Sequence, residues 1–102
     1  MKIVKVQYTT TLAYAARNQE NIRQVVKELK ALRHSGIRYN TYLLADGKTF
    51  VHFDQFENEA AHEVLQSLES FKKFNAELSA SPFEAAPVLD LLNLVGSTEN
   101  FF

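Results

Sequence analysis

The sequence predicts an α+β domain in the order β-α-β-β-α-β, with a four-stranded antiparallel sheet. Three observations carry this expectation. An Asp46-Gly47 pair joins two β-rich runs, apolar residues recur at helical spacing on both sides of that pair, and runs rich in β-branched and apolar residues open and close the 102-residue chain.

The first run, Lys2 to Thr9, alternates Val4, Val6 and Tyr8 against Ile3, Lys5, Gln7 and Thr9 and reads as a strand. Ile22, Val25, Val26, Leu29 and Leu32 then fall on one helical stripe, with Arg23, Gln24, Lys27, Glu28 and Lys30 opposite. Asn18 or Asn21 is the expected cap, Arg33 and His34 suit the negative end of the helix dipole, and Gly36 is the expected left-handed stop.

Ile37 to Ala45 and Lys48 to Phe56 form the expected hairpin. A type I′ Asp46-Gly47 turn pairs Leu43 with Phe50, Thr41 with His52, Tyr39 with Asp54 and Ile37 with Phe56. Cross-strand partners share a face. One face therefore carries Ile37, Tyr39, Thr41, Leu43, Phe50, His52, Asp54 and Phe56, and the other Arg38, Asn40, Tyr42, Leu44, Thr49, Val51, Phe53 and Gln55. Both faces are about half apolar, so each calls for a cover, and in so short a chain one cover comes from a second copy.

Asn58 to Ser79 reads as helix in two pieces. Ala61, Val64, Leu65 and Leu68 form one stripe, Phe71, Phe74 and Leu78 another, and the break falls between Ser67 and Ser70. Pro87 opens a final strand with its core at Val88 to Val95, apolar enough to be covered on both faces. The domain spans residues 1–96, and 97–102 form a tail. This is the ferredoxin-like unit, and right-handed crossovers put the first and third strands at the centre of its sheet.

The net charge of -1 argues against a nucleic-acid partner. No apolar run reaches the roughly 20 residues of a membrane span, and no secretory signal is expected. Cysteine is absent, which removes disulfides, thiolate nucleophiles and cysteine-ligated metals. A cytoplasmic protein without membrane or nucleic-acid partners is the expectation.

The element order and the stretch Asp54 to Phe74 resemble the dimeric α/β-barrel superfamily, nearest the antibiotic-biosynthesis-monooxygenase type. Asp54 stands at that pattern's acidic position, Phe56 at its Trp, Glu59-Ala60-Ala61 at its helix start, Leu65 at its helix His, Ser70 at its second His and Phe74 at its aromatic residue. The resemblance implies a homodimer and a cavity between sheet and helices. With Leu65 in place of the His, it implies no haem.

His52, Asp54 and Tyr39 are the candidate catalytic residues, with the carboxylate fixing the imidazole's tautomer and Tyr39 offering a donor. The plain alternative is a structural pair. Thr41, Phe50, Phe56, Leu65 and Phe71 are the expected lining of the ligand cavity. Arg38, Asn40 and Gln55 read as polar contacts that set dimer geometry, the alternative being an anion site inside the barrel. Glu59-x-x-His62 has the spacing of a di-iron ligand pair, but one copy predicts no metal, and no cofactor is expected. The expected function is binding of a small apolar or aromatic molecule, with cofactor-independent monooxygenase-like chemistry. The alternative is a non-catalytic ligand-binding or dimerisation module.

Overall fold

A computed structural model describes residues 1–102, in the order β1 (Lys2–Thr10), α1 (Leu12–Leu32), β2 (Ile37–Leu43), β3 (Thr49–Phe56), α2 (Glu59–Ser67), α3 (Glu69–Ala80) and β4 (Phe83–Leu92). The four strands form one antiparallel sheet in the order β2-β3-β1-β4, so the first and third strands are central as the crossover rule requires. This is the ferredoxin-like fold. No helix is long and apolar enough to cross a membrane.

The hairpin has the register expected from the sequence, with Thr41 opposite His52 and Tyr39 opposite Asp54. Its turn differs. Only Gly47 has a positive φ, at 75°, whereas a type I′ turn needs two such residues. The Gly47 amide donates to the Leu44 carbonyl at 3.0 Å, leaving Ala45 and Asp46 at the centre of the turn. The Asp46 carboxylate accepts from the amides of Lys48 and Thr49, both at 2.9 Å, and from the Thr49 hydroxyl at 2.5 Å. Asp46 thus serves as an acceptor for the backbone rather than as a left-handed residue.

Three other boundaries move for physical reasons. α1 starts at Leu12, capped by Thr11, whose hydroxyl accepts from the Tyr14 amide. Asn18 and Asn21 are buried within the helix instead of capping it. Its left-handed end is Arg33, at φ 54°, and not Gly36. Gly36 is needed for close approach instead: a Cβ there would lie 3.0 Å from the Glu57 carboxylate and 3.0 Å from the His34 ring. β4 begins at Phe83, four residues ahead of Pro87, and Pro87 falls at a register shift against β1, where its missing N–H interrupts the ladder least.

The break between the last two helices lies at Leu68, whose extended backbone ends α2 and starts α3. Asn58 caps α2, accepting from the Ala61 amide at 2.9 Å. Two acidic side chains tie α3 to α1. Glu28 accepts from the Ser70 amide and hydroxyl, and Glu77 accepts from Arg17 and Asn21.

One core joins sheet and helices, built from Val4, Tyr8, Val25, Phe50, Phe56, Leu65, Phe74 and Leu78 among others. The opposite sheet face is open, and on it Tyr42 is 57% exposed and Val88 59%. Leu89 and Leu91, on the helix side of β4, are also exposed because no helix reaches that edge. The tail returns to this open face, where the Phe101 carbonyl accepts from Arg38 at 2.7 Å and the Arg38 guanidinium lies 5.4 Å from the Phe102 ring centre.

Leu65 has no exposure at all. Leu65→Ala should therefore destabilise the fold by about 2–5 kcal/mol, the range for a leucine deleted from a close-packed core. A urea midpoint that moves by less than the equivalent of ~1 kcal/mol would show that Leu65 faces open space.

Candidate functional site

The site grows out of one feature of β3. Alternation sends Phe50, His52, Asp54 and Phe56 beneath the helices, so two polar side chains are carried into the core. β1 pairs with β3 so that Val6 lies opposite His52, Val4 opposite Asp54 and Tyr8 opposite Phe50. α1 then supplies Asn18 from above.

These residues form a continuous chain. The Asn18 side-chain amide donates to the Tyr8 hydroxyl at 2.8 Å. Tyr8 Oη lies 2.8 Å from His52 Nε2, and His52 Nδ1 lies 3.0 Å from the Thr41 hydroxyl. Tyr8 already accepts from Asn18, so its own proton satisfies His52 Nε2, and the imidazole hydrogen sits on Nδ1 facing Thr41. A neutral ring fills every position in that arrangement. Burial pushes His52 down to about 4, which keeps it neutral at pH 7. Burial also raises the Tyr8 phenol, against the lowering effect of the Asn18 hydrogen bond.

Asp54 stands apart from this chain. Its Oδ1 is buried without a partner, and both ring nitrogens of His52 are engaged elsewhere. The expected imidazole–carboxylate pair is therefore not formed. Residues i and i+2 of a strand stand side by side about 6–7 Å apart and perpendicular to the sheet, so neither side chain needs to reach the other. Burial drives Asp54 up to about 7, with the Asn40 backbone amide pulling the other way. Tyr39, opposite Asp54, is raised first by burial and then by the Asp54 charge, and its hydroxyl also lacks a partner.

A cavity of about 350 Å³ opens against this row, between β1, β3, α3 and the start of β4. His52, Asp54 and Tyr8 form its polar wall, while Phe71, Phe74 and Phe83 form much of the apolar one. Asn75 and Ser79 stand across from them on α3.

Of the expected lining, Phe71 is in place. Phe50, Phe56 and Leu65 are instead solid core, with 1% exposure or less. Phe56 and Leu65 lie too deep because α2 packs directly on the sheet, and Phe50 because it stacks on Tyr8 beside α1. Thr41 holds His52 rather than facing this cavity, and Tyr39 and Thr41 each line a different cavity. Tyr8, Asn18, Phe74 and Phe83 were missed as site residues. Tyr8 was already on the correct face, but which residues of β3 it meets depends on a pairing across a helical crossover, which no short-range turn sets.

The Glu59-x-x-His62 pair holds no third ligand. Glu59 pairs with Lys2 at 3.0 Å, and the His62 ring stacks on Phe56 with centres 4.4 Å apart. No three His, Cys, Asp or Glu side chains converge for a metal ion. A helix-ligated haem does not fit these donors either, since Leu65 occupies the matching position within the core.

The fold is shared with solved structures over nearly the whole chain. An antibiotic biosynthesis monooxygenase superimposes with a TM-score of 0.76 at 16% identity, covering 94% of this chain and 100% of its own. The chain has that protein's fold. Rv0793 from Mycobacterium tuberculosis gives 0.77 at 14% identity, covering 96% of this chain and 98% of its own. PA3566 from Pseudomonas aeruginosa gives 0.75 at 20%, covering 93% and 94%. No family model and no curated protein sequence matches the chain.

The two buried titrating groups pull stability in opposite directions. Asp54 rises from 3.8 to about 7 on folding, so its contribution is full below pH 4 and is lost as pH climbs to 7. His52 falls from 6.5 to about 4, so its contribution is full above 6.5 and is lost as pH drops to 4. Between pH 4 and 6.5 the slopes cancel, each about 1.4 kcal/mol per pH unit. Relative to wild type, Asp54→Asn should gain stability as pH rises across that window, and His52→Gln should lose it. Urea unfolding at pH 4.5 and 6.5 measures both, and parallel pH profiles for the two variants would refute the assignment.

Proposed function

We propose that this protein binds a hydroxylated aromatic molecule in the Asp54 cavity and promotes its oxidation by dioxygen without a cofactor. The observation that carries the reading is a buried carboxyl, tuned to about 7, that lines an aromatic cavity and has one oxygen that no protein group holds. The shared fold with an antibiotic biosynthesis monooxygenase supports it.

Asp54 is the base. His52 is not, because its two nitrogens are occupied and burial keeps it neutral. A carboxylate of pKa about 7 is roughly a thousandfold more basic than an ordinary one, from the three-unit shift. It takes the phenolic proton, and the phenolate transfers one electron to dioxygen. Superoxide then recombines at a ring carbon bearing hydrogen, forming a C–O bond, and the resulting peroxide takes back the proton held by Asp54. The hydroperoxide loses water, so one oxygen stays as a new carbonyl and the other leaves in water. Tyr8, held by Asn18 and His52, offers its oxygen to the ligand beside Asp54, and Tyr39 stands behind the carboxyl.

1,5-Dihydroxynaphthalene is a suitable probe, since gain of one oxygen and loss of two hydrogens give a coloured hydroxynaphthoquinone. Wild type should bind it saturably and form quinone while consuming one dioxygen per product. Asp54→Asn should bind it but form product at least 100-fold more slowly. Saturable binding with no Asp54-dependent turnover would establish the non-catalytic binding module instead, and absence of binding would remove the ligand reading.

We further propose that the open sheet face pairs with a second copy of this chain. Exposed Tyr42, Val88 and Leu92, together with Phe53, offer it an apolar surface, and Arg38 lies at its margin. A stable contact of this kind buries more than about 1,000 Å². Light scattering at micromolar concentration should give twice the chain mass, and a monomer would refute the pairing.

A further inference from the structure

A second cavity, of about 340 Å³, lies on the far side of β2, where the end of α1 meets the start of that strand. Its floor is apolar, formed by Val26, Leu29, Ile37 and Tyr39. Its rim is basic: Lys30, Arg33, His34 and Arg38 line it, with no carboxylate among the lining residues. Glu57 packs beside Gly36 and the His34 ring, and Asp54 stands opposite Tyr39 on the neighbouring strand. Neither Lys30 nor Arg33 makes an ion pair or a side-chain hydrogen bond, whereas Lys2, Arg17 and Lys48 all do. Arg38 is held by the tail through the Phe101 carbonyl.

The negative end of α1 accounts for part of this charge, but that end amounts to roughly half an elementary charge against the two unpaired cations, Lys30 and Arg33. A second observation singles out Arg33. It is the one non-glycine residue with positive φ, at 54°, a conformation in which glycine is the ordinary choice. A long cation kept there at conformational cost points to a use for its side chain.

We propose that this cavity binds an anionic group, a phosphate or carboxylate, carried on a short apolar body. Arg33 and Lys30 take the anion while Ile37, Leu29 and Tyr39 hold the apolar part. The site is separate from the Asp54 cavity and does not depend on the function proposed there.

Hexyl phosphate, hexanoate and hexanol distinguish the contributions, followed by calorimetry and by amide shifts. Hexyl phosphate or hexanoate should bind saturably and move the amides of Ile37 and Tyr39, and whichever binds more tightly identifies the anion. Hexanol should bind at least tenfold more weakly. Arg33→Gly removes the guanidinium while giving the backbone the residue its φ favours, so its melting temperature should equal or exceed that of wild type. Its affinity for the preferred anion should fall at least tenfold, and Lys30→Gln should lower it as well. Hexanol binding as tightly as the anions, unchanged affinity in both variants, or no binding by either anion would each overturn the proposal.

Discussion

A buried row containing two polar residues is the constraint from which the site follows. β3 has to present Phe50, His52, Asp54 and Phe56 to the same core, and the fold satisfies one of the two polar residues while leaving the other short of partners. His52 receives a partner at each nitrogen, one from β1 and one from β2. That arrangement also fixes Tyr8, and through Tyr8 the amide of Asn18, so the helix register and both strand registers meet in a single hydrogen-bonded chain. Asp54 has no such neighbours on its free oxygen, and a carboxyl in that position lowers its cost by holding a proton. Which of the two is saturated with partners and which holds a proton is thus set by what stands opposite each.

How much of this was legible in the sequence depended on distance along the chain. The β2–β3 register could be read because a four-residue connection leaves few alternatives, and it brought Thr41 and His52 together as expected. It came out correctly even though the turn type did not, since a two-residue and a four-residue loop centred on the same Asp46-Gly47 pair bring the same strand positions together. The β1–β3 pairing spans a whole helix, and local pattern carries no information about its register. Tyr8 and Asn18 were consequently absent from the expected site. Asn18 and Asn21 misled for a second reason. Asparagine is a strong cap signal, and nothing local shows that both side chains have partners on other elements.

The depth of the cavity was likewise beyond pattern. Leu65, Phe56 and Phe71 all carry apolar side chains at helix- or sheet-facing positions, yet only Phe71 borders open space. The difference arises from how closely each helix approaches the sheet. α2 is short, starts directly after β3, and lays Ala61 and Leu65 flat against it, whereas α3 begins after a break and stands off. Proline raised a related problem at the other edge. Pro87 marks a strand boundary in most contexts, but at an irregular point of an edge strand it is tolerated inside, so β4 extends further back and brings Phe83 to the site.

The break at Leu68 divides the cover of the sheet into two parts with different mechanical ties. α2 is anchored from below, by Leu65 and Ala61 in the core. α3 is anchored sideways, through Glu28 near its start and Glu77 near its end, both of which grip or belong to pairs with α1. With the backbone ladder interrupted between them, α2 and α3 need not shift together. The extended backbone at Leu68 is the point where the two parts of the cover are joined, and the two ties couple α3 to α1. Because α1 carries Asn18, any shift carried across these two ties bears directly on the hydrogen bond that holds Tyr8.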